Sequence, residues 1–474
     1  MCSKSNLYSG FFNFRTTLLP VIVILLLASC KKSLTIPPPT DFVISDVVFK
    51  DDGTAIGAVT GIYSDMMNNK NNAQQFTSAG VTIYAGMCSD ELSHLQPTQG
   101  SRNEFINNQL SSNNSNISVL FWDKAYKYIY TANSCLEGLE KSTTLSSEVK
   151  NVLRGECHFI RAFCYFYLVN LFGDVPLVVT SDYRENMHMG RTPVKDIYDR
   201  MIDDLIKAKI LLPEQYDVTG GIPPRTRPNK WTVTALLARV YLYKKDWINA
   251  ELESDEIIRS GMYTLATNNL GSVFSANTTS AESIWQLLPV VATNNTWEGN
   301  LLLPANATAQ PGYILTNSLV SAFEPNDKRF TSWAGPRSTY FFPNKYKVRT
   351  TNPSIKEYYV VFRLAEQYLI RAEARANRNR LEDARNDINT IRVRAGLDST
   401  QPQTQDELLL AIERERRVEL FAEWGHRWFD LKRTNRADAV LDPYKPTWDA
   451  TDVLWPIPAE QIRLNDALTQ NQGY

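Results

Sequence analysis

Between residues 116 and 260 apolar side chains recur at helical spacing almost without a break, and a chain patterned in that way has little choice but to stack helices. The stretch "SVLFWDKAYKYIYTANSCLEGLE" puts Leu120, Ala125, Ile129, Ala132 and Leu136 on one continuous side at steps of three to five residues, then stops at polar "KSTT". The next run, "SSEVKNVLRGECHFIRAFCYFYLVNLFGDVPLV", offers Ser146 or Ser147 as a cap and ends at Phe172, Gly173 and Asp174, with Pro176 beyond. Two long helices joined by so short a turn make a helical hairpin.

Three further helical runs follow, from Thr192, from Arg227 and from Trp247. Pro193 and Pro228 suit first-turn positions and Gly261 suits a helix stop. Small residues at Ala235, Ala238 and Ala250 permit close helix crossings of the tetratricopeptide kind. No strict 34-residue repeat emerges by counting, so the pattern describes stacked hairpins rather than tandem copies. After a first helix near Ala55 to Met67, residues 76–116 are polar and irregular. From Thr264 to Tyr359 the chain again turns to Asn, Thr, Ser, Gly and Pro with scattered aromatics, and helices return with "VVFRLAEQYLIRAEARANRN". The expected fold is therefore mostly α, helical hairpins interrupted by two loop-rich, partly β excursions.

The amino terminus is of another kind. Lys4 and Arg15 precede the eleven apolar residues Leu18 to Ala28, a stretch too short to cross a bilayer core, which takes about 20 helical residues. A basic start, a short apolar middle and a small-residue exit describe a secretory signal peptide. Leu27, Ala28 and Ser29 lead directly to Cys30, and this order resembles the bacterial lipobox. The resemblance implies cleavage before Cys30 and a diacylglyceryl group on its thiol. Residues 1–29 then read as signal peptide, residues 30–40 as a lipidated tether stiffened by Pro37 to Pro39, and residues 41–474 as a single domain. Loss of residues 1–29 takes the formal net charge from −1 to −3, which gives no reason to expect a nucleic-acid partner.

Chemistry-bearing signatures are few. Cys88, Cys135, Cys157 and Cys164 form no C-x-x-C pair, and of the histidines only His158 is close to any of them. No metal site is expected, and Cys157 and Cys164 read as small apolar residues of one packed face. There is no G-x-S-x-G, no H-E-x-x-H, no phosphate-cradling loop and no dinucleotide fingerprint, so neither a cofactor nor a catalytic residue is assigned. N-x-S/T patterns at Asn116, Asn277 and Asn306 follow from Asn- and Thr-rich loops. The acids in "ERERRVELFAEWGHRWFDLKR" raise the thought of a glycosidase pair. Glu415, Glu419 and Glu423 instead stack at helical steps, with Arg427 a turn beyond and Arg371 and Arg375 placed to reach them, which reads as an ion network.

Sugar recognition needs flat apolar rings for the C–H face of a pyranose and planar polar groups for its hydroxyls. Both kinds lie in the irregular regions. The first holds Tyr84, Asp90, Glu91, Gln96 and Arg102; the second holds Trp297, Tyr313, Trp333, Arg337 and Tyr340. Trp297, in "TNNTWEGN", and Trp333, in "FTSWAGPRS", sit in polar surroundings and are expected as exposed platforms, whereas Trp231, Trp285 and Trp424 are expected in the core.

Five segments, in order along the chain, carry a resemblance: "RGECHFIRAFCYFYLVNLFGDVPL", "RPNKWTVTALLARVYLYKKDWINAELESDEIIRSGMYTL", "FRLAEQYLIRAEARANR", "IERERRVELFAEWGHRWFDLKR" and the ending "LWPIPAEQIRLNDALTQNQGY". They are similar to the SusD/RagB family of outer-membrane lipoproteins of Bacteroidota. The resemblance implies four tetratricopeptide-like hairpins as a scaffold and a ligand site drawn from an early loop and a variable insertion. It further implies capture of a glycan or similar nutrient without chemistry, outer-membrane anchoring through Cys30, and a SusC-like TonB-dependent transporter as partner. Lys31 and Lys32 depart from the acids that often follow the cysteine in members facing the cell exterior. A protein-binding tetratricopeptide scaffold and a hydrolytic lipoprotein are the competing readings.

Overall fold

The computed structural model describes residues 45–68, 75–95, 100–216, 225–274, 280–350 and 356–474. The expected signal peptide and tether, Cys30 and Gln96 lie outside the described residues. Residues 45–48 form one helical turn, and residues 49–474 make up a separate compact unit.

That unit begins with α1 (Asp52–Met67), α2 (Gly80–Cys88) and α3 (Gly100–Asn107) and continues into the hairpin of α4 (Asp123–Lys141) and α5 (Ser147–Phe172). Ser146 caps α5, its hydroxyl accepting from the Val149 amide, and Gly173 at φ 74° ends it in a conformation that glycine adopts without strain. The five-residue step from Leu120 to Ala125 has a physical cause: Asn116–Trp122 is π-helical, and its wider turn moves the apolar stripe on by one residue before α4 resumes the regular pitch. Cys157 and Cys164 are buried in α5, as free thiols.

The stack continues through α6 (Val194–Leu211), α7 (Lys230–Tyr243), α8 (Trp247–Arg259), α9 (Leu364–Asn377), α10 (Leu381–Arg394) and α11 (Gln405–Glu419), and α12 (His426–Arg433) follows. Each helix from α4 to α11 packs on the next, so the eight make four successive pairs. Pro193 is the cap of α6, but Pro228 stands one residue before the Asn229 cap of α7 and outside the helix. Among the described residues no helix is long and apolar enough to cross a membrane.

Two sequence expectations change here. Residues 76–116 hold a helix, α2, in which every residue is buried; wrapped on all sides, it shows no amphipathic period to read. The segment from Tyr359 to Arg363 is a strand, β6, and the helix starts only at Leu364. β6 pairs antiparallel with β2 (Ser283–Leu287), both wholly buried, which closes the long excursion at its base. Trp285 of β2 packs edge-on against Phe163 of α5, 5.3 Å between centroids, and Phe163 also meets Trp424 at 5.7 Å. Trp231, Trp285 and Trp424 are thus core residues, as their apolar settings predict.

The charged network is present with other partners than the spacing suggests. Helix α11 ends at Glu419, and the backbone then turns through left-handed Ala422, Trp424 and Gly425, so Glu423 and Arg427 do not continue the helical ladder. Glu415 and Glu419 accept from Arg329, while Glu419 and Glu423 accept from Arg363. Arg371 and Arg375 turn instead to Asp255 and Asp387. Arg427 reaches Asp90 and Glu413.

Candidate functional site

The two polar excursions are joined by a short antiparallel ladder. β1 (Leu92–His94) follows α2 and pairs with β3 (Tyr313–Leu315), setting His94 opposite Tyr313 and Leu92 opposite Leu315. Beside β3 packs the hairpin of β4 (Ala334–Arg337) and β5 (Tyr340–Pro343), whose two-residue turn has Ser338 at φ 54°.

Side chains extend this junction outward. The Arg102 guanidinium of α3 hydrogen-bonds the Tyr84 hydroxyl and lies 5.8 Å from the centre of the Tyr313 ring, within range of a cation–π contact. Burial pushes the Tyr84 hydroxyl up to about 12, so it stays protonated. His94 is pushed down, first by burial and then by the nearby Arg102 cation, which keeps its imidazole neutral. From the hairpin, Arg337 Nε donates to the Ala309 carbonyl at 2.8 Å and Nη2 to that of Asn306 at 3.1 Å. The Asn306 carboxamide in turn accepts from the Thr308 and Ala309 amides, so the loop before β3 is held at both ends. Tyr340, paired with Arg337 in the hairpin register, is 38% exposed.

Of the sequence-predicted site residues, Arg102 thus lies against buried Tyr84 and Tyr313, while Arg337 and Tyr340 stand opposite each other on the hairpin that packs beside β3. The others lie elsewhere. Trp297 is buried and its indole N–H donates to the Met67 carbonyl at the end of α1, 3.1 Å away. Trp333 is wholly enclosed: its N–H donates to the Leu270 carbonyl at 2.9 Å, Phe274 meets its ring edge-on at 5.5 Å, and the Lys345 ammonium sits 4.6 Å from its centre. Neither indole is the exposed platform its polar neighbours suggest, because each is buried and finds its carbonyl partner far away in sequence.

Asp90 is also interior. It accepts from Arg417 at 2.5 Å and from Arg427 at 2.8 Å; burial alone would raise its carboxyl, but Arg427 and Arg417 hold it below the usual range. Glu91, next to it, makes no ion pair among the described residues, and burial pushes it up to about 8. Asn306, noted in the sequence only for its N-x-T pattern, anchors the loop before β3, and no local signal marks that role. What this surface offers chemically is a flat ring, two guanidinium groups and loop carbonyls. Glu415, Glu419 and Glu423 are interior and engaged by cations. Among the described residues no group of three His, Cys, Asp or Glu side chains is arranged to hold a metal ion.

Comparison with known proteins agrees with this architecture. SusD-like protein P2 of Formosa agariphila is 26% identical over 92% of this chain and 95% of its own length. A SusD-like protein of Bacteroides ovatus is 24% identical over 90% and 83% respectively. Among solved structures, a SusD superfamily protein of Bacteroides vulgatus superposes with a TM-score of 0.79 at 22% identity, covering 90% of this chain and all of the other. A laminarin-binding SusD-like protein gives 0.74 at 23% identity, again over 90% of this chain and all of the other. Residues 59–242 match the family described as starch-binding and associating with the outer membrane, and residues 223–474, more than half of the chain, match the SusD family, to which the chain therefore belongs.

Proposed function

We propose that this protein captures a glycan, without chemistry, on the surface formed by Arg102, Arg337 and Tyr340, and delivers it to a SusC-like TonB-dependent transporter. The observation that carries the reading is the convergence itself. Two stretches more than 200 residues apart meet in one ladder, and their exposed groups are a tyrosine ring and guanidiniums, the kinds that hold sugar faces and hydroxyls. Family membership and the laminarin-binding relative support it. Binding proteins without a catalytic apparatus take their affinity from such contacts, and truncating one important interface aromatic commonly costs more than about 1 kcal/mol.

Tyr340→Ala is accordingly expected to weaken binding several-fold for whichever oligosaccharide a glycan panel identifies, measured by calorimetry, with the melting temperature unchanged because the ring is exposed at a hairpin turn. Unchanged affinity would remove this surface from consideration. Anchoring to the outer membrane through a lipid on Cys30 belongs to the same proposal. A Cys30→Ser variant is expected to take up no labelled lipid in the cell, since the thioether needs the thiol; normal labelling would rule the anchor out.

A further inference from the structure

At the other end of the β1–β3 ladder lies a second concavity. Asp90 immediately precedes β1's neighbour Glu91, and Ser318 follows β3; both line a cavity of about 400 Å³ together with Arg414 and Arg417 of α11, Arg427 of α12 and Tyr444. A volume of this size falls in the range of small-ligand sites.

Its charge is unbalanced. Four arginines, those named and Arg436, face only two acids, Asp90 and Glu413. Both acids are already shared: Asp90 between Arg417 and Arg427, and Glu413 between Arg427 at 3.1 Å and Arg436 at 3.2 Å. Arg414 is exposed and makes no ion pair among the described residues. Arg417 spends one nitrogen on Asp90 and the Ser318 hydroxyl, yet its Nε–H is buried with no acceptor, which is costly for a guanidinium unless something outside the protein fills the role. Arg427, only 5% exposed, forms part of the wall rather than a floating surface charge. At the mouth stands Tyr444, 43% exposed.

We infer that this cavity binds an acidic sugar unit, a uronate or a sulfated residue, with its ring face on Tyr444 and its oxyanion on Arg414 and Arg417. Guanidinium is the group that matches carboxylate and sulfate geometry with paired N–H donors, and an exposed aromatic beside it supplies what a bare anion would not need. The inference rests on the glycan-capture reading and narrows it: the captured chain is anionic, with a neutral stretch on the Tyr340 surface and a charged unit here.

The test uses the full chain in detergent and calorimetry at low salt. The probes are a uronate oligosaccharide with its carboxyl-reduced counterpart, a sulfated oligosaccharide with its desulfated counterpart, and sodium sulfate alone. At least one acidic member is expected to bind tenfold or more tighter than its neutral counterpart, with the advantage shrinking as salt rises. Arg414→Ala, at an exposed position without a partner, is expected to bring that acidic-to-neutral ratio toward one, and Tyr444→Ala to weaken the acidic member at least several-fold. Equal affinity within both pairs would overturn the cavity assignment while leaving glycan capture standing. Binding of sodium sulfate with no preference for either acidic oligosaccharide would overturn the sugar as occupant. Failure of every oligosaccharide, neutral and acidic alike, would bring down the capture reading and this inference with it.

Discussion

Trp333→Ala is expected to unfold far more easily than the parent chain, losing about 3–5 kcal/mol, the usual cost of emptying a buried tryptophan site. Three contributions act together. The side chain is fully enclosed, so its removal leaves a cavity bordered by Phe274. The Leu270 carbonyl loses the indole N–H that satisfied it. The Lys345 ammonium, itself buried, loses the ring face it lies over. Thermal denaturation followed by circular dichroism measures the effect, and Tyr340→Ala in the same experiment supplies the contrast. A Trp333→Ala chain melting alongside the parent would mean that the indole stands at the surface and would restore it as a ligand platform.

The second large effect lies at Arg363, the last residue of β6. Its guanidinium donates to Glu282 at 2.9 Å, to Glu419 at 2.6 Å and to Glu423 at 2.8 Å, all in the interior. Arg363→Ala leaves three buried carboxylates short of a cation, and breaking a buried pair from one side costs about 3–5 kcal/mol. The loss should depend on pH with a definite sign. Burial alone would raise Glu419, but Arg394, Arg363 and Arg329 together hold it well below the ordinary carboxylate value. A carboxyl whose folded pKa is depressed stabilises the protein above its unfolded value, near 4.3, and loses that contribution as pH falls toward the folded value. The gap in stability between parent and variant should therefore be widest at pH 7 and narrow progressively as pH falls below about 4.3, where the unfolded chain takes up the proton. Taking the difference between the two chains removes the opposite trend of Glu91 and Glu298, which burial pushes up to about 8 in both. Denaturant melts of the two proteins across this range provide the check, and a gap independent of pH would show that Glu419 does not depend on Arg363 for its charge.

How far the sequence could be read follows from the range of the forces involved. Helices α4, α6 and α8 are legible from their one-sided apolar stripes, and α5 from its ends as well, since Ser146 and Gly173 bracket it as their chemistry requires. Helix α2 was not, since a segment buried on every side has no polar face to set its period. β6 was misread for a related reason. "YVVFR" is apolar enough for a buried strand or a buried helix, and only its pairing with β2, some 75 residues earlier, decides between them. The site divided in the same way. Arg102, Arg337 and Tyr340 stand out by the composition of the irregular regions, and all three keep part of their surface open to solvent. Trp297 and Trp333 misled because a polar sequence neighbourhood says little about spatial neighbours, and the carbonyls of Met67 and Leu270 are 230 and 63 residues away. The arginine network was foreseen as a kind of interaction, but its partners come from five different elements, a matter of tertiary geometry that spacing along one helix cannot supply.

The β2–β6 pairing has a consequence for how such a protein diversifies. The long excursion leaves the helical stack after α8 and rejoins it at α9, two helices that pack directly on each other, and the strand pair sits across its entrance like a clasp. Parts of the excursion reach back across that clasp: Arg329 pairs with Glu415 and Glu419, Lys345 with Glu423, and Trp333 is enclosed. The exposed loops between those anchors can be lengthened at little thermodynamic cost, about 0.6 kcal/mol for each doubling of a flexible loop. A lineage carrying this frame can therefore vary the exposed loops of one enclosed segment, while the clasp, with Arg363 at its foot, and the anchors Arg329, Trp333 and Lys345 are the parts it has to keep.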